Sequence, residues 1–179
     1  MRKFSALWLV IVCCAVWTMP AQARQKTVVN FKKLQEFLPK VDIPGYKVGK
    51  PQGSTSSALG MSTSEASLRY EKAAEDDTWT IEVEIQDMAG IPFAGLGASM
   101  LGATEFENQT ENGYEKSVKV QGFPGTEKVE TGESKSAEIN LTVASRFMIK
   151  VSSYGSGEVA ILHKLLEGMK LAELAKLAN

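Results

Sequence analysis

The sequence predicts an α+β fold: an antiparallel sheet of about six to seven strands covered by an N-terminal helix, a central glycine-rich helix and a C-terminal helix. Three observations predict it. Ala66, Leu68 and Tyr70 alternate with Ser67, Arg69 and Glu71, and Trp79, Ile81, Val83 and Ile85 alternate with Thr80, Glu82, Glu84 and Gln86. Period two with one apolar face is an antiparallel strand with one side on a core and the other in water. Near both ends the apolar residues instead recur at three- and four-residue steps, and turn residues punctuate the interval between them.

The chain opens with Arg2 and Lys3, an apolar run from Leu7 to Trp17, and Ala21-Gln22-Ala23. A basic start, a short apolar stretch and small residues at −3 and −1 read as a secretory signal spanning 1–23, cleaved after Ala23. The run is shorter than the ~20 residues that span a bilayer. Cys13 and Cys14 both lie in it, so the processed chain has no thiol for a disulfide, metal site or nucleophile. Acylation at either cysteine ranks second, because Val10-Ile11-Val12 lacks the small residue that a lipoprotein site wants.

Removing 1–23 leaves 156 residues, 24–179, with 18 Lys+Arg and 21 Asp+Glu, read as a single α+β domain. Its near-neutral charge argues against nucleic acid. Residues 24–50 are locally basic, with Arg24, Lys26, Lys32, Lys33, Lys40, Lys47 and Lys50 against Glu36 and Asp42. That stretch suits an anionic surface or, more simply, forms a solvated helix face and its flanks.

Asn30 caps a short helix whose stripe is Phe31, Leu34, Phe37 and Leu38, and Pro39 ends it. Pro44-Gly45 and Pro51-Gln52-Gly53 mark turns around short extended pieces. After the two alternating strands comes the glycine-rich stretch 89–103, in which Pro92 starts a helix. Its large residues, Phe93, Leu96, Met100 and Leu101, fall on one arc, and Gly95, Ala98, Ser99 and Gly102 on the other. Interior glycines cost about 1 kcal/mol each in a helix. The bare side is therefore a candidate contact face for a backbone, ligand or partner.

A strand is expected near Tyr114–Val120, a turn at Phe123-Pro124-Gly125, and then two hairpins: 126–131 with 137–143, and 137–143 with 146–153. The final segment from Glu158 is helical, with Val159, Leu162, Leu166 and Met169 as its core stripe; Gly168 bends or divides it. The order of strands, central helix, further strands, then "SRFMIKVSSYG" running into an amphipathic helix resembles the α/β sandwich of the PsbP and Mog1-like group over most of residues 42–170. The resemblance implies a small extracytoplasmic accessory or binding protein.

Chemistry is thinly signposted. His163 is the only histidine, and Glu167 four residues on shares its helix face, which exposed helix polarity explains. Neither G-x-S-x-G nor S-x-x-K occurs, so the serines of 53–67 have no elbow or lysine base. Turn and strand-edge hydrogen bonding accounts for them, with Ser54, Thr55, Ser56 and Ser57 as secondary candidates for a polar ligand. Asp76 and Asp77 beside Glu75 read as a charged hairpin tip, and Glu82 and Glu84 as solvated strand charges. Gly95, Gly97 and Gly102 do not space as a dinucleotide fingerprint.

No catalytic residue, metal ligand or cofactor is called for by these patterns. The leading expectation is a noncatalytic secreted or periplasmic module that binds a protein or envelope component. A small-ligand or lipid carrier with a pocket between sheet and helices comes second. An enzyme built on carboxylates and hydroxyls comes third.

Overall fold

A computed structural model describes residues 27–58, 61–74, 78–90 and 105–178. Within them nine strands form one antiparallel sheet: β1 (Lys47–Val48), β2 (Gln52–Ala58), β3 (Met61–Ala73), β4 (Thr78–Asp87), β5 (Glu107–Thr110), β6 (Gly113–Val120), β7 (Phe123–Glu130), β8 (Ser136–Val143) and β9 (Phe147–Tyr154). The order across the sheet is β1-β3-β4-β9-β8-β7-β6-β5, with β2 also paired to β3. Along β3 to β5 every neighbouring pair but one is joined in sequence; the exception, β4 to β9, brings the two halves of the chain together.

Among the described residues three short helices cover one face. Asn30 accepts from the Lys32 amide and starts α1 (Phe31–Leu34), which tightens into a 3₁₀ turn over Gln35–Phe37. At the other end α2 (Val159–Glu167) and α3 (Leu171–Lys176) lie against the sheet. One continuous core joins Leu34, Phe37 and Leu38 from the N-terminal segment, the inward residues of the central strands, and Leu162, Leu165, Leu166, Leu171 and Leu174 from the C-terminal helices. Ile81, Val83, Ile85, Ile139, Ile149 and Val151 are fully buried, as their alternation requires.

Gly168 separates α2 from α3 for a steric reason. A Cβ there would lie 2.4 Å from Val41 Cγ2, so only glycine lets the helix end approach the N-terminal segment. Gln121, in the turn after β6, donates from Nε2 to the carbonyls of Leu166 (2.7 Å) and Met169 (2.9 Å) and satisfies groups that the end of α2 leaves open.

Several expectations change. The sheet has nine strands, not six or seven, because polar segments that carry no apolar alternation also pair. Gln52–Ala58 pairs antiparallel with Met61–Ser67, in place of turns leading to a strand at Ala66. β5 is likewise polar and exposed. The turn expected at Phe123-Pro124-Gly125 lies two residues earlier: Gln121 (φ 50°) and Gly122 (φ 86°) reverse the chain, and Pro124 already pairs with Lys119. The expected central glycine-rich helix, with the candidate face Gly95, Ala98, Ser99 and Gly102, falls outside the described residues, as do the expected leader 1–23 and the expected hairpin tip Glu75, Asp76 and Asp77.

Candidate functional site

Three polar assemblies stand out against this frame. The first is the sheet face opposite the helices. Parity sends Arg69, Glu82, Ser152, Glu138 and Lys128 into one cross-strand row, and Ser67, Glu84, Lys150, Asn140 and Thr126 into the next. Arg69 meets Glu82 at 3.5 Å, Lys150 meets Glu138 at 2.9 Å and Lys128 meets Glu130 at 2.7 Å. Asn140 also donates to Glu138 at 2.7 Å. Arg69 and Glu82 are direct cross-strand neighbours, so the register itself sets up this pair.

Glu84 is different. It makes no ion pair among the described residues, and its carboxyl is held above the usual range, first by burial and then by repulsion from Glu65 and Glu82, with Lys150 only partly offsetting them. Glu82 and Glu84 are thus half-buried members of a charged mosaic, more enclosed than solvated strand charges.

The second assembly surrounds Glu127. Its side chain lies on the helix-covered face, 3% exposed, in line with Gly125 and Val129. Oε1 accepts from the Tyr114 hydroxyl at 2.7 Å and meets Lys116 Nζ at 3.2 Å; Oε2 meets His163 Nε2 at 2.5 Å. Burial alone would raise this carboxyl, but the hydrogen bonds from Tyr114, His163 and Lys116 outweigh it and hold it below the usual range. Burial and the bond to Glu127 push the Tyr114 hydroxyl up to about 12.

His163 therefore does not spend its polarity on Glu167 and solvent. It anchors α2 to β7. A carboxylate orienting a histidine is half of a nucleophile-activating arrangement, yet the ring's hydrogen bond runs to Glu127, and no hydroxyl completes the relay among the described residues. The signal for Glu127 lies in parity: it is two residues from Val129, as Lys116 is from Val118, so both charges fall on the apolar side. A buried charge at such a position needs partners, and the sheet and α2 supply them.

The third assembly is a clasp. Arg146 forks onto Asp87 through Nε (2.9 Å) and Nη2 (2.8 Å), with the carboxylate fully buried. Asp87 also accepts the amides of Val29 (2.7 Å) and Ala89 (2.9 Å). Arg146 donates to the carbonyls of Leu177 (2.9 Å) and Thr27 (3.0 Å). One pair thus ties both ends of the described chain to the middle of the sheet.

The hydroxyl candidates Ser54, Thr55, Ser56 and Ser57 sit on β2, and all four are exposed. Three of their hydroxyls are engaged with β3: Thr55 with Ser64 (2.8 Å), Ser56 with Thr63 (3.1 Å) and Ser57 with Ser62 (2.8 Å). They form a cross-strand ladder, not a convergent polar pocket.

The basic stretch is spread out. Lys33 pairs with Glu36 at 2.6 Å, while Lys47 and Lys50 border a recess shared with Arg69, Glu71 and Glu82. No group of three metal-ligating side chains converges among the described residues, and no helix there is long and apolar enough to cross a membrane. Comparisons of the chain with protein-family models, curated proteins and solved structures give no match, so the geometry of its own sheet carries the functional reading.

Proposed function

We propose that this chain is a noncatalytic binding module of the secreted or periplasmic kind, and that its open sheet face docks a protein or envelope component. The observation that supports the reading is the mosaic centred on Glu84: ordered by cross-strand pairing, half-buried, and uncovered by any described helix. Interaction surfaces built on rigid strands hold their groups in place before the partner arrives, which lowers the ordering cost of binding. Carboxylates outnumber cations on this face, with Glu65, Glu71, Glu82, Glu84, Glu115, Glu130 and Glu138 set against Lys47, Arg69, Lys119, Lys128 and Lys150. The complementary surface carries basic groups, and charge of that kind governs encounter rate and partner choice. The leader-like segment 1–23 and the resemblance to extracytoplasmic accessory proteins support the location.

A photo-crosslinking side chain at Met148, on the sheet face, and another at Ala172, on the exposed side of α3, test the reading in intact cells. A discrete adduct from position 148, absent from 172 and abolished by E82K/E84K, is the expected result. The same diffuse background from both positions overturns it.

A further inference from the structure

The edge of the sheet at β2 has a property that neither its hydroxyls nor the docking face explains. β1 and β2 follow one another along β3, but Val48 lies opposite Tyr70 and Gln52 opposite Ser67, so four steps on the edge are matched by three on β3. The extra residue makes a bulge at Gly49-Lys50-Pro51. Bulges, lysines and proline are the devices that stop an edge strand from pairing with another chain. They guard β1. The opposite edge, β5, is short, begins with Glu107 and is flanked by Glu105 and Glu111. β2 carries no such device: its seven residues, QGSTSSA, are all exposed and include no charge and no proline.

Backbone direction follows from two hydrogen bonds. The Arg69 carbonyl accepts from Gly49, toward the β1–β2 side, whereas the Ser62 amide donates to Gly90, toward the β4 side. Alternation along β3 then directs Ser62, Ser64 and Ala66 away from β2. Their register partners Ser57, Thr55 and Gly53 turn their own N–H and C=O groups outward. None of these outward groups has a backbone partner among the described residues.

We propose that β2 pairs antiparallel with β2 of a second copy of this chain, about a two-fold axis through Thr55. The segment is self-complementary in that register. Thr55 faces Thr55 of the other copy, Ser54 faces Ser56, and Gly53 faces Ser57, so every opposed pair is small and uncharged. Three outward residues on each strand give about six inter-strand hydrogen bonds. Residue 55 is the midpoint of Gln52–Ala58, so the register uses the whole unguarded stretch and stops before the bulge. A single strand pair buries less than the ~1,200 Å² of a standard stable interface, so the dimer is concentration-dependent.

Sedimentation equilibrium of protein purified from its host, from about 1 μM to about 1 mM, tests this. The expected result is a mass that rises from monomer to dimer for the wild type. S54K/S56K, which opposes lysine to lysine across the axis, weakens association at least tenfold, as does S54E/S56E. An equimolar mixture of the two charged variants restores dimer, because unlike charges then face one another. Unchanged thermal melting of each variant at low concentration confirms that the fold is intact, and T55P, which removes the central outward donor, gives a second uncharged probe. A wild type that stays monomeric throughout, or charged variants that associate like the wild type, overturns the proposal.

Discussion

The two buried carboxylates among the described residues, Asp87 and Glu127, solve the same problem in different places. Asp87 sits at the end of β4 with no exposure and is matched by one planar guanidinium, which itself reaches Thr27 and Leu177. Glu127 lies near the rim of the helical layer and is matched by three weaker partners, two from the neighbouring strand β6 and one from a helix, the part-exposed His163. The difference shows in how each site fails. Loss of one partner at Asp87 strands a full charge in the core and frees both ends of the described chain, whereas loss of one partner at Glu127 leaves two others and a path for water.

The comparison predicts a graded series. Asp87→Ala leaves Arg146 buried without its counter-charge, and chemical denaturation should show a loss of about 3–5 kcal/mol. D87A/R146M should recover only part of that, because the amides of Val29 and Ala89 remain without their acceptor. Equal losses in the single and double variants would break the contrast.

Glu127→Gln comes next, with an expected loss of about 1.5–3 kcal/mol at neutral pH, the range for hydrogen bonds to a charged group. The pH dependence has a defined sign. The folded carboxyl is held below its unfolded value, so its contribution is present above the usual carboxylate range and is lost as pH falls through the depressed value. Stability of the wild type should therefore decline toward acid more steeply than that of E127Q. The same substitution should bring the Tyr114 hydroxyl down from about 12, followed by its ring resonances in an NMR titration. A Tyr114 titration unmoved by E127Q would remove Glu127 as the cause.

His163→Ala should cost about 1 kcal/mol, since the ring is part-exposed and Lys116 and Tyr114 stay in place. The smallest effect belongs to the docking face. Glu84 has its carboxyl raised, the opposite sense from Glu127, so its charge opposes folding at neutral pH and the penalty fades as pH falls through the raised value. Glu84→Gln should stabilise by up to ~0.5 kcal/mol in thermal or chemical denaturation, and a measurable loss would mean that Glu84 has a partner on its own chain.

Much of the fold is legible in the residue pattern alone. Alternation places Ile81, Val83 and Ile85 inward, Asn30 caps its helix, the chain reverses between 143 and 146, and Gly168 divides the last helix. The polar strands are not legible, because β2 and β5 pair through backbone groups that every residue possesses and side-chain pattern does not report. Proline misleads at position 124, where it stands at the start of an extended strand instead of making the turn. His163 reads as solvent-facing because its helix neighbours are charged, and nothing local reveals that the strand layer beneath offers a carboxylate.

Sequence by itself determined which strand faces are apolar, where the first helix begins and where the last one divides, because these depend on side-chain identity and on spacings of two to four residues. Tertiary structure decided the rest. Asp87 and Arg146 are 59 positions apart, Thr27 and Arg146 119, and Glu127 and His163 36. Partners at such separations are chosen by the strand order that sets β4 beside β9 and brings α2 over β6, β8 and β9. Charge complementarity makes these pairs stable, but only the topology brings them within reach of one another.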